Sequence, residues 1–183
     1  MSNLPYFCLS YKTLALFKGA NMLSKAIIIS LITVNSVACV ACSDKTVNLG
    51  AKANYHSASK ELLHKIEKSL DRAEISAAAK KVADLATPVL TELVAKNKKC
   101  SEIASFIQKK KLSMYDLKPS QLEADYHDGG ALPTFPDECH DLKELIVHPA
   151  TVVSLAKYAP ELTKVKAQMK DEIEEVILHF EAL

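Results

Sequence analysis

The sequence predicts an all-α fold: a small helical bundle of three long helices plus several short ones, with one Pro/Gly-rich loop. Three observations point there. Glycine is scarce, four in 183 residues, and long stretches consist of Ala, Leu, Lys and Glu, which lose little on entering a helix. Apolar residues recur at steps of three and four, the period of a helix face. No segment alternates apolar and polar residues for long enough to make a half-buried strand.

The elements follow in order. A first helix is predicted over 57–73, with Leu62, Leu63, Ile66 and Leu70 on one face. A second covers 75–97, with the stripe Ile75, Ala79, Val82, Ala86, Val89 and Leu93. Pro88 lies inside it and predicts a kink, or a restart with Thr87 as cap. Ser101 is a natural N-cap for a third helix to Lys110, whose face is Ile103, Phe106 and Ile107. A short helix begins at Pro119 and carries Leu122 and Tyr126. The stretch "HDGGALPTFPDE", 127–138, is irregular because Gly129, Gly130 and two prolines oppose regular structure. Another helix runs from Cys139 to Val147, where His148-Pro149 is expected to interrupt it before a short piece through Val152, Val153 and Ala156. Pro160 opens the last helix, 161–182, with Leu162, Val165, Met169, Ile173, Val176, Ile177 and Phe180 as its stripe. The first, second and last helices are expected to form the bundle, with the short ones across one end or side.

Ahead of this domain stands "MLSKAIIISLITVNSVACVACSDK". Lys25 precedes an uncharged run, Ala26 to Ala41, shorter than the ~20 apolar residues a membrane span needs. A basic start, an apolar core and small residues before a cut describe a signal peptide. Residues 22–45 resemble the bacterial lipoprotein signal, in which a cysteine following a small residue receives lipid. The Leu favoured three residues before that cysteine is replaced by Cys39 (before Cys42) or Ser36 (before Cys39). The resemblance implies lipidation at Cys42, with Cys39 as the alternative, and a place in the periplasm or cell envelope, anchored to the membrane through acyl chains. Secretion without lipid is the other outcome of such a cut. The chain then divides into an upstream extension (1–21, with translation expected from Met22), a signal peptide (22–41), a tether (42–54) and a single helical domain (55–183).

Export also bears on the cysteines. With the leader removed and Cys42 acylated, Cys100 and Cys139 are left in an oxidising compartment, where a disulfide is expected. It would close a loop of about 40 residues and contribute on the order of 3–4 kcal/mol in the chain-entropy picture. The net charge of +1 becomes −2 once Lys12, Lys18 and Lys25 leave with residues 1–41. A nearly neutral domain is no nucleic-acid binder by bulk electrostatics.

Three patterns carry candidate chemistry. Glu123 and His127 are four residues apart, as are His140 and Glu144, so each pair can share a helix face and a metal ion. The same spacing also serves as a surface pair worth a few tenths of a kcal/mol. His140 and His148 lie about 12 Å apart along a helix, too far for one ion unless the chain folds back. His179 with Met114 or Met169 could ligate haem inside a bundle, although no Cys-x-x-Cys-His occurs. Lys109, Lys110 and Lys111, with Lys96, Lys98 and Lys99, form a basic patch that suits anionic headgroups or simply complements helix C-termini. Serine-elbow, phosphate-loop and zinc-protease motifs are missing.

The expected function is therefore a non-enzymatic binding or structural module of the bacterial envelope. It needs no cofactor and presents the 127–138 loop to an envelope protein partner. The alternative is a metal- or haem-binding bundle in ion handling or electron transfer.

Overall fold

The computed structural model describes residues 50–69 and 71–183. The upstream extension, the signal segment with Cys39 and Cys42, most of the expected tether, and Leu70 lie outside the described residues. Six α-helices make up the rest: α1 (Ala51–Lys68), α2 (Arg72–Lys96), α3 (Ser101–Met114), α4 (Pro119–Leu122), α5 (His140–Tyr158) and α6 (Leu162–Ala182). No strand occurs among the described residues, and the domain is all-α.

Four helices, not three, form the bundle. α5 packs against α2, α3, α4 and α6, while α1 packs against α2 and α6. Polar ties at the ends fix the directions. Arg72, at the start of α2, donates to the carbonyls of Ala156 (2.8 Å) and Pro160 (3.1 Å) at the end of α5. Lys166, early in α6, donates to Glu67 O at the end of α1 (3.0 Å), and Lys52 to Leu183 O (3.4 Å). Each long helix thus runs antiparallel to its bundle neighbours, an up-down-up-down arrangement. The segment holding α3 and α4 is inserted between α2 and α5.

Several boundaries differ from expectation. α1 starts at Ala51 rather than 57, so helix replaces the end of the expected tether, and it stops at Lys68. The reason is Asp71: its carboxylate accepts from Ala73 N (2.8 Å) and Glu74 N (3.2 Å) and caps α2. α2 continues through Pro88, and its buried face contains the whole expected stripe together with Ala83 and Leu90. α3 runs on to Met114.

The largest correction concerns α5, which passes through His148-Pro149 without a break. Proline at 149 removes the amide that would bond the carbonyl of Leu145. The Tyr55 hydroxyl, fully buried on α1, donates to Leu145 O instead, at 2.9 Å. With its orphaned acceptor satisfied from outside, the helix is kept, and every residue from Leu142 to Ala156 is buried. A helix covered all round occupies the centre of its domain.

Cys100 and Cys139 form the disulfide, with their Cα atoms 5.5 Å apart. It joins the short 3-10 turns that precede α3 and α5, and so pins the start of the central helix.

Candidate metal centre

The N-terminal half of α5 carries polar groups at steps of four: His140, Glu144 and His148. Steps of four keep them on one face of the helix. Across from them α6 presents Glu172, Glu175 and His179, spaced three and four apart. A third element completes the cluster, the π-helical turn Glu123–His127 that follows α4. Pro119 at the first position starts α4, and buried Leu122 and Tyr126 seat the turn on the core. The turn closes by hydrogen bonds from Asp128 N to Glu123 O (2.8 Å) and Gly130 N to Ala124 O (2.9 Å). Gly130 is required there: a Cβ would lie 2.7 Å from Ala124 O. Gly129 adopts φ +88°, which other residues rarely tolerate. The two glycines turn the chain sharply after His127 and leave its imidazole over α5.

Four of the six histidines meet here. The ring of His148 lies 5.4 Å from that of His127 and 5.4 Å from that of His179, against which it stacks. His140 follows at 6.0 Å from His179. Glu144 is fully buried and His148 is 1% exposed.

Their hydrogen bonding is incomplete in a particular way. His148 Nδ1 is tied to Glu172 Oε2 at 2.7 Å. Its other nitrogen, Nε2, is buried with no hydrogen-bond partner, and so is Glu144 Oε2. These two atoms face each other at 3.6 Å, and Glu175 Oε2 is also 3.6 Å from His148 Nε2. A ring nitrogen of His127 lies within 4.8 Å of the Glu144 and His148 donors. Buried polar atoms in proteins are almost always satisfied, and an unpaired pair calls for an explanation such as an ion.

Lys143, 2% exposed, bonds Glu144 Oε1 and donates to His127 O at 3.0 Å. It gives the buried carboxylate a hydrogen-bonded partner, without which burial is costly. Burial by itself would push the pKa of His148 down. The Glu172 hydrogen bond and the charges of Glu144, Glu172 and Glu175 outweigh burial and hold it above its ordinary value. Beside the cluster opens a cavity of about 350 Å³ lined by Glu123, His127, Glu172 and Glu175, among others.

All four residues anticipated as metal ligands border this centre. Glu123 Oε1 is 3.2 Å from His127 Nδ1, and Glu144 Oε1 is 3.4 Å from His140 Nε2. His148, Glu172, Glu175, Asp141 and the role of His179 were not anticipated. His140 and His148 do not share a donor position directly. Glu144 stands between them, one oxygen toward each.

The haem-type pairing gains nothing from the geometry. Met114 and Met169 are buried in the apolar core, and His179 Nδ1 is bonded to Asp141 Oδ1 at 2.7 Å. Within the basic patch, Lys111 is tied to Asp84 at 2.5 Å and its side chain is only 14% exposed. Lys110 lies over the Phe106 ring at 5.8 Å. Among the described residues no helix is long and apolar enough to cross a membrane.

Comparison with known proteins gives no match: no family model, curated protein or solved structure is similar to this chain.

Proposed function

We propose that this protein binds a divalent transition-metal ion through His127, Glu144, His148 and Glu175, as an exported, lipid-anchored, non-enzymatic metal-handling module of the bacterial envelope. The observation that carries the metal reading is the unpaired, buried couple His148 Nε2 and Glu144 Oε2 at 3.6 Å. That separation is too long for a hydrogen bond. It is close to the spacing of about 3.3 Å between neighbouring donors on a tetrahedral ion with bonds near 2.05 Å. Glu172 supplies the outer partner that metal-ligating histidines usually have: a carboxylate on Nδ1 fixes the tautomer and turns the Nε2 lone pair to the ion.

The donor set narrows the ion. Both cysteines of the described domain are consumed in the disulfide, so no thiolate is on offer there. Mixed imidazole and carboxylate ligation suits Zn²⁺, Co²⁺, Ni²⁺ or Cu²⁺ rather than Ca²⁺ or Mg²⁺, which prefer all-oxygen shells.

The test is Zn²⁺ binding to purified full-length protein by calorimetry and elemental analysis. Wild type should retain stoichiometric zinc through dialysis, and His148→Ala should weaken binding by at least about 100-fold. Equal zinc affinity in wild type and in a His148→Ala/Glu144→Gln variant of unchanged helicity would overturn the reading. The envelope part rests on the lipoprotein-like segment, with Cys42 preferred to Cys39. The intact mass of membrane-extracted protein tests it, since a mature chain starting at Ser36 or earlier, or carrying no lipid, would remove the anchor.

A further inference from the structure

We propose that His140, Asp141 and His179 form a second, outer cation site that shares Glu144 with the buried one, so that the centre holds two divalent ions. The proposal rests on the buried site being a metal site, and adds to it the number of ions and the residues that hold the outer one.

The outer donors lie together on their own account: one ligand atom from each of His140, Asp141 and His179 falls within 4.8 Å of the others. Asp141 Oδ1 is 2.7 Å from His179 Nδ1 and 3.8 Å from His140 Nδ1. Asp141 Oδ1, from the opposite helix, is tied to Nδ1 of His179 in the absence of an ion. Two imidazoles and a carboxylate are the donor types of a zinc-class site.

Glu144 makes the two sites one centre. Its Oε1 lies 3.4 Å from His140 Nε2 and its Oε2 3.6 Å from His148 Nε2. Oε1 also takes the Lys143 ammonium, so bridging two ions, which sit about 3.5–4 Å apart in such pairs, requires Lys143 to give way at Oε1 or the outer ion to share that oxygen with it. Charge favours the second ion as well. Asp141, Glu144, Glu172 and Glu175 supply four carboxylates against the single ammonium of Lys143, so the cluster attracts cations. Exposure falls from 51% at the His140 side chain to 27% at His179 and 1% at His148. The outer site is therefore the more open and the more weakly held of the two.

Titration of full-length, EDTA-stripped protein with Co²⁺, followed by visible absorption and calorimetry, tests this. Wild type should bind two Co²⁺ in a tight and a weaker step. His179→Ala and, independently, Asp141→Asn should bind one, with the tight step retained within about threefold, and His148→Ala should lose the tight step. Unfolding curves of the stripped variants, taken alongside, exclude global loss of structure. One Co²⁺ in wild type, or two in both His179→Ala and Asp141→Asn, overturns the outer site and leaves the buried one standing. An unaltered tight step in His148→Ala overturns the buried site itself.

Discussion

The two halves of α5 are equally buried and differ in what their polar groups find. In the C-terminal half, Thr151 donates to Val147 O at 3.1 Å and Ser154 to Leu117 O at 2.7 Å. Each hydroxyl is satisfied by a backbone carbonyl, and the surrounding residues, Val152, Val153, Leu155 and Ala156, are apolar core. In the N-terminal half, Glu144 Oε2 and His148 Nε2 face each other at 3.6 Å and neither has a hydrogen-bond partner. The first half shows how a buried polar group serves the fold. The second shows a pair that the fold leaves unpaired, at a cost of about 1–3 kcal/mol for each atom, which a cation bound between them would offset.

The sharpest way to break this contrast is at Lys143. Lys143→Met should destabilise the metal-free protein by about 3–5 kcal/mol, because it strips a buried carboxylate of its partner. Zn²⁺ should recover most of that loss, giving a larger metal-induced rise in Tm than in wild type. A variant as stable as wild type in EDTA, or one that zinc does not rescue, would mean that Glu144 serves the fold and not a metal ion. Next in size is Tyr55→Phe, which leaves Leu145 O without a donor beside Pro149. It should cost about 1–3 kcal/mol, equally with and without zinc, measured by urea unfolding. Any zinc dependence there would show that the helix at Pro149 and the metal centre are coupled. Ser154→Ala, in the satisfied half, should cost about 1 kcal/mol and leave zinc affinity unchanged.

How much of this could be read beforehand follows from where each determinant lies. The stripes Ile75 to Leu93 and Leu162 to Phe180 are local patterns, and both faces are buried or half-buried as their spacing implies. Glu123 with His127 and His140 with Glu144 were also visible as pairs within single segments. The continuity of α5 was not, because it depends on Tyr55, 90 residues from Leu145 in the chain. His148 drops out of the sequence reading through its separation from His140 of about 12 Å along a helix, which takes no account of Glu144 between them. Glu172, Glu175 and His179 do stand at steps of three and four on the last helix. That was a readable signal, but it became a site only when α6 was packed on α5. The lipoprotein-like segment is a separate matter, carried by residues 22–45 alone.

The smallest expected effect separates the halves by pH. His148 is faced by Glu144 on its own helix, by Glu172, Glu175 and His179 on α6, and by His127 on the π-helical turn. Its pKa in the folded protein is raised above its ordinary value, which is about 6.5 in an unfolded chain. A raised folded-state value means that the protonated imidazole stabilises the metal-free fold. That contribution is fully present below about pH 6.5 and is lost as pH rises through the folded-state pKa. Urea midpoints in EDTA should therefore fall between weakly acid and weakly alkaline pH, and His148→Gln should flatten that fall. Zinc should act in the opposite sense, since it needs the deprotonated nitrogen, so the gap between zinc-loaded and stripped protein should widen with pH. Thr151→Val or Ser154→Ala should leave the slope as it is. If His148→Gln leaves it untouched too, the proton sits elsewhere in the cluster and the contrast between the halves rests on Glu144 alone.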